Sequence, residues 1–347
     1  TLPALRQRLF LHHTRRRVVC SKNRAAETTL RAPRAGGQKS LRPISTRNVT
    51  LVLNVTCSNH THQSHTNCIG QLTNSHYHDV MKIATIGSGG SAFVFVPGGP
   101  GLPASFYREL LEGLSKQGAV VTYEMAGVWP NDNPFPTTVT KISDELREAV
   151  ALVHSSHPGP TVVVGHSFGA AVALDALCDG LEVDQAVLIS GFSSGHMVRN
   201  GIMERLNGLP AEFHERLAAS TGDSGAVMEL IQQFWFPNHF CRVEWPQSLL
   251  DGLGKMNAEY SSHFLGPNLF DLSGEAMKWS RESDLSNIAV PVLLIGGSHD
   301  YFRLEDLRAL ERQIPDSQLH LSEEASHSIW LEDPALFHQR VEQFLLT

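Results

Sequence analysis

The sequence predicts an α/β protein with a mostly parallel central sheet, helices on both faces and an inserted helical cap. Three observations predict it. From residue 82 onward, short apolar runs alternate with segments of helical period. A β-branched run at 161–164 turns through glycine into an Ala-rich stretch at 168–178. The alternation then breaks for about ninety residues and resumes near the end of the chain. Wholly apolar strands joined by helices belong in a parallel sheet covered on both sides.

Taken in order, 82–86 reads as the first strand, and 91–96 is an apolar run that ends at Pro97-Gly98-Gly99-Pro100-Gly101. A helix follows at 104–117, with Leu110, Leu111 and Leu114 on one side, and 119–124 is strand-like. Ile142, Leu146, Ala149, Val150 and Val153 give 138–156 a helical stripe. The strand at 161–164 and the helix at 168–178 come next, then strands at 186–189, 290–295 and 318–321 and a last helix at 334–346. Residues 193–285 are Leu-, Phe- and Trp-bearing and helical in pattern. The organisation is therefore a core of 81–192 and 286–347, a cap of 193–285 and a leader of 1–80. A cap placed there closes over the carboxyl ends of the strands, where open α/β sheets bind ligands.

Charge is divided the same way. The 347-residue chain has a formal net charge of −7, yet residues 1–80 hold 12 Lys+Arg against 2 Asp+Glu. The acidic remainder offers no cationic face for phosphate, which argues against nucleic acid as a partner. No run of eighteen apolar residues suggests a membrane span. Residues 1–48 are rich in Arg, Ser and Thr with Glu27 as their one acid, and Met81 stands directly before the first strand. The favoured expectation is a disordered or untranslated leader and a cytoplasmic body. An organellar transit segment, giving a mitochondrial or plastid protein, is the alternative. His60, His62, His65, His76 and His78 lie near Cys57 and Cys68 without a familiar zinc spacing, so no metal is expected. Asn48, Asn54 and Asn59 begin sequons that matter only in a secreted chain. Five cysteines, three of them in the leader, do not make a disulfide framework.

The chemistry centres on Gly165-His166-Ser167-Phe168-Gly169. A G-x-S-x-G between a strand and a helix holds its serine on a sharp turn, with the hydroxyl above the sheet. A serine needs a base, and the base an orienting acid. In chain order the candidates are Ser167, then Asp300 just past the strand at 290–295, then His327 after the last strand. Asp306, His166 and His299 compete for those roles, although the His166 side chain is expected to leave the turn in another direction. Oxyanion donors are expected at the Phe168 and Gly99 amides. This chemistry needs no cofactor.

These segments resemble the proline iminopeptidases and their α/β-hydrolase relatives over most of 82–347. Residues 97–101 look like the family's HGGPG loop, and 165–169 like its nucleophile motif. His239-Phe240-Cys241-Arg242, Gly266-Pro267-Asn268-Leu269-Phe270, Gly274 and Trp279 look like its cap signature. Ser326-His327 with Glu332-Asp333-Pro334 is similar to its histidine segment. There are departures. Pro97 replaces the loop's His, and Glu124-Met125-Ala126-Gly127 replaces a charged turn. Leu269 stands where the family has a glutamate implied to bind the substrate's free amine, and Gln232 or Gln233 replaces a second one. An ammonium leaving water needs such a carboxylate. Glu259, Glu244 or Asp271 are the substitutes considered.

Three functions follow as expectations. The resemblance implies a proline iminopeptidase-like serine hydrolase acting on a small molecule or short peptide. The lost glutamates favour an esterase or amidase for an uncharged apolar acyl group, with Phe234, Trp235, Phe236, Phe264 and Phe270 as possible pocket walls. Whichever the substrate, its five expected contacts are Phe234, Trp235, Leu269, Phe270 and Glu259. The third is a ligand receptor that keeps the fold with little catalysis.

Overall fold

The computed structural model describes residues 81–347. The leader, its His/Cys cluster and its sequons lie outside the described residues. The strands are β1 (Ile83–Ile86), β2 (Ala92–Val96), β3 (Ala119–Tyr123), β4 (Thr161–His166), β5 (Gln185–Ile189), β6 (Val292–Gly297) and β7 (Ser317–Ser322). They form one sheet in the order β1-β3-β2-β4-β5-β6-β7. Only β1 is antiparallel, pairing Ile83 with Tyr123; the other pairings are parallel. Central β4 matches Val94 to Val163 on one side and Val164 to Val187 on the other. Every residue of β2, β4 and β6 is buried. That is why these runs read as continuously apolar rather than alternating.

Helices cover both faces. On one side lie α1 (Arg108–Leu114), entered through a 3-10 turn at Ala104–Tyr107, and the closing helix α11 (Pro334–Leu345). On the other lie α2 (Val139–Ser156), whose Ile142, Leu146, Ala149 and Val153 face the core, and α3 (Phe168–Cys178). Helix α3 is buried at every position, so its sequence carries almost no amphipathic pattern.

Between β5 and β6 the chain forms α4 (Gly195–Asn207), α5 (Ala211–Ala219), α6 (Ser224–Leu230), a π-helical segment (Ile231–Phe240), α7 (Gln247–Leu253) and α8 (Ala258–Leu265). Ser194, Asp223 and Asn257 cap three of these with side-chain oxygens. The two ends of this insertion are tied together. Gly195 N–H donates to Trp279 O at 2.9 Å and Arg281 N–H to Ser193 O at 2.8 Å. The Ser194 hydroxyl donates to Glu282 at 2.7 Å.

The tie is anchored to the core by Asp175 of α3, whose side chain is fully buried. It accepts from Ser143 Oγ at 2.7 Å, Trp279 Nε1 at 2.8 Å and Arg281 Nε at 2.7 Å. Arg281 also reaches Asp179 at 2.7 Å. Asp175→Ala would leave an arginine and an indole N–H short of their acceptor. We expect it to lower unfolding free energy by about 3 kcal/mol, read as a lower urea midpoint with an unchanged slope.

Two elements differ from the sequence expectation. The segment expected as one helix over 104–117 is a 3-10 turn followed by an α-helix that ends at Leu114, because backbone turns at Lys116 and Gln117 redirect the chain. Helix α9 (Leu304–Gln313) lies outside the expected elements and buries Leu307 and Leu310. A further short helix, α10 (Ile329–Glu332), follows the last strand.

Candidate active site

Residues from five places meet above the carboxyl ends of β2, β4 and β6. Ser167 stands between β4 and α3 with φ 55° and ψ −118°, outside the regions that L-residues favour. Gly169 makes that turn feasible, because a Cβ there would lie 2.1 Å from Val96 O. Ser167 is 6% exposed, and no side-chain capping bond ties it to the helix it precedes.

Asp300 follows β6 and His327 follows β7; both are buried. His327 Nδ1 lies 3.0 Å and 3.1 Å from the two carboxylate oxygens of Asp300. The Phe302 N–H donates to Asp300 Oδ1 at 3.2 Å and fixes that carboxylate from behind. The competitor Asp306 is paired instead with Arg303, at 2.7 Å.

His327 Nε2 faces the Tyr301 hydroxyl at 2.6 Å. The Tyr301 pKa is raised well above its ordinary value by burial and then by the Asp300 charge. The phenol thus occupies the Nε2 side of the imidazole and borders the same chamber as Ser167. The sequence gives Tyr301 no signal beyond its adjacency to Asp300.

His166 does leave the turn in another direction. Its Nε2 lies 3.0 Å from His327 O, which can only accept, so Nε2 carries the proton. Its Nδ1 then accepts from the Tyr107 hydroxyl at 3.1 Å, and Tyr107 accepts from Gly98 N–H at 2.8 Å. One neutral imidazole thereby joins the 97–101 loop to the His327 loop. Burial, and then neighbouring His327, hold its pKa well below the usual histidine value.

Glu332 braces the same loop. It accepts from Ser326 N–H at 2.8 Å and Ser328 N–H at 3.2 Å, on either side of His327. It also accepts from Arg242 N–H at 2.7 Å. The π-helical segment contributes the carbonyl of His239, which accepts from His327 N–H at 3.3 Å.

Gly98 leans on the Ser167 turn: a Cβ there would come within 2.5 Å of His166 O and 3.1 Å of Ser167 Cβ. Next to it, Gly99 borders the same chamber as Ser167 and Phe168. The amides of Gly99 and Phe168 have no acceptor among the described residues. The chamber itself is about 30 Å³, room for a water or two. Its apolar wall is Phe192, Val198, Ile202, Leu265, Leu269 and Phe302, and Tyr301 completes it.

Of the five expected substrate contacts, Leu269 lines this chamber. The others lie elsewhere. Trp235 is buried behind Tyr301 with ring centroids 6.0 Å apart, and Phe270 packs on Trp235 at 5.2 Å. Phe234 packs against Phe213 at 5.7 Å beneath the Arg216 guanidinium. Glu259 is exposed in the first turn of α8. Gln233 is also exposed and bonds Arg216 at 2.9 Å.

This architecture has known counterparts. Residues 93–340 match the alpha/beta hydrolase family, and the chain belongs to that family. Among curated proteins it is similar to the proline iminopeptidase of Chitinophaga pinensis, 21% identical over 268 residues, covering 73% of this chain and 88% of the relative. It is also similar to the proline iminopeptidase of Heyndrickxia coagulans, 24% identical, covering 74% and 91%. Among solved structures, the proline iminopeptidase of Mycobacterium smegmatis superposes with a TM-score of 0.69 at 22% identity, covering 77% of this chain and 95% of that one. The chain is thus a divergent relative of proline iminopeptidases with a hydrolase fold. Among the described residues, no helix is long and apolar enough to cross a membrane.

Proposed function

We infer that the protein is a serine hydrolase for an ester or amide with an uncharged, apolar acyl group. Ser167 attacks the carbonyl, and its proton ends on His327 Nε2. Asp300 keeps the imidazole proton on Nδ1 and stabilises the imidazolium. The Phe168 and Gly99 amides receive the oxyanion, aided by the N-terminus of α3. Water then releases the acyl group. Residues 193–285 act as a cap that completes the acyl pocket. The chamber must widen to admit a substrate, so some cap movement accompanies binding.

The observation that carries the acyl preference is the composition of the chamber wall, which holds no acidic side chain among its lining residues. Leu269 occupies the wall where the resemblance implies a glutamate. A substrate ammonium would be desolvated there without a carboxylate.

Purified protein should therefore hydrolyse short nitrophenyl esters at least a hundredfold faster, in kcat/KM, than proline naphthylamide. Ser167→Ala serves as the blank. A preference for proline naphthylamide would replace this reading with the peptidase one that the relatives' names suggest. Silence on both, with no labelling by a fluorophosphonate, would leave the receptor.

A further inference from the structure

Three successive backbone carbonyls of the turn that carries Asp300 are met by side chains of the insertion. Arg205 of α4 donates from Nη2 to Ser298 O at 3.1 Å and from Nε to Asp300 O at 2.9 Å. Between them, His299 O lies 2.9 Å from His239 Nδ1. A carbonyl only accepts, so that ring nitrogen carries the proton. The next carbonyl, Tyr301 O, lies against Gly201 of α4, where a Cβ would come within 2.1 Å of it.

His239 also reaches the loop of the base. Its own carbonyl accepts from His327 N–H at 3.3 Å, and His299 N–H donates to Ala325 O at 3.0 Å. The result is a closed circuit. His327 bonds His239, His239 bonds His299, and His299 bonds Ala325, two residues before His327. Arg205 bonds the acid loop alone, and Arg242 bonds Glu324 and Glu332 on the base side. Among these three, His239 alone holds both loops. Among the described residues no other donor reaches His299 O.

We propose that His239 is a positioning residue that sets the separation of Asp300 and His327, through its ring on one side and its carbonyl on the other. The inference rests on the reading of those two as acid and base. Their bond, at 3.0 and 3.1 Å, joins loops from the ends of two different strands. A shift of about 1 Å between such groups can cost a hundredfold in rate. His239 itself lies outside the chamber wall, and no proton passes through it. The insertion thus aligns the acid and base as well as covering the site.

The test compares His239→Asn with His239→Leu in the full chain. The two side chains have the same shape, and the asparagine NH2 falls where Nδ1 stands. They differ in the donor offered to His299 O. Per site titrated with a fluorophosphonate, ester kcat should fall about tenfold in His239→Leu with KM unchanged, the upper end of one hydrogen bond's worth. His239→Asn should stay near wild type. Low-field proton NMR reads the Asp300–His327 bond without any substrate. Its resonance should stand in wild type and His239→Asn, and shift or vanish in His239→Leu. Equal kcat in the two variants, a loss confined to KM, or a resonance unmoved in His239→Leu would overturn the proposal. So would fewer titrated sites with an intact rate per site, which is stability alone. If His239→Leu does not fold, His239→Ala takes its place with the same expectations. Wild type that shows the resonance but neither turns over esters nor labels would sink the hydrolase reading, while the NMR comparison still decides the role of His239.

Discussion

Ser167→Ala should lower kcat on any ester or amide the protein hydrolyses by about a millionfold, since a nucleophile's removal can cost as much as losing its whole catalytic set. Folding should be nearly unaffected. The alanine keeps the Cβ and the same φ of 55°, so the strain of the turn is unchanged. The Asp300–His327 pair and the His166 network do not depend on the serine hydroxyl. Circular dichroism and thermal midpoint should therefore match wild type while turnover falls to the blank. Retained turnover would place the nucleophile elsewhere in the chain.

The second large effect is expected for Asp300→Asn, a loss of about ten-thousandfold in kcat. The reason lies in the groups around the carboxylate. Its Oδ1 already accepts from Phe302 N–H at 3.2 Å, and the asparagine carbonyl oxygen would keep that partner. The amide NH2 would then face His327 Nδ1 and demand a lone pair there. The ring proton would move to Nε2, the atom that must accept. Two donors, that N–H and the Tyr301 hydroxyl at 2.6 Å, would then point at each other. KM should change little, because the carboxylate lies outside the chamber wall. A Asp300→Asn rate within tenfold of wild type would remove Asp300 from the chemistry.

The parts of this molecule legible in its sequence are those with a local physical signature. Buried parallel strands show as unbroken apolar runs, and all seven strands of the sheet lie within two residues of their expected limits, with β4 running on to His166. The Ser167 turn announces itself because close backbone approaches exclude side chains at Gly165 and Gly169. Asp300 and His327 are found by order along the chain, each just past a strand.

What stayed hidden depends on where side chains point once distant segments meet. Nothing in the string Asp300-Tyr301-Phe302 says that the phenol turns toward His327 Nε2 while Phe302 braces the acid from its amide. His166 was expected to point away from the turn, yet its partners, Tyr107 and the carbonyl of His327, are 59 and 161 residues distant. In the insertion, aromatic residues were natural candidates for pocket walls. Phe234, Trp235 and Phe270 pack mainly on one another and on Phe213, because small amphipathic helices must first bury their own faces. The chamber wall went to aliphatic positions on α4 and near the end of α8. Helix α9 does carry a period, with Leu304, Leu307 and Leu310 on one face, and stands outside the expected elements although its signal was there to read.

The paired ends of the insertion, held at Ser193–Gly195 and Trp279–Arg281, make it a detachable module. Whatever lies between two neighbouring attachment points can lengthen, shorten or be exchanged at small entropic cost to the rest of the chain. The sheet would keep its own pairings, provided the exchange preserves the His239 carbonyl, Arg242 and Arg205, which hold the His327 and Asp300 loops. A lineage built this way can trade one clientele for another by rewriting about eighty residues, and grafting that stretch from a relative onto these two anchors is the direct way to move selectivity between them.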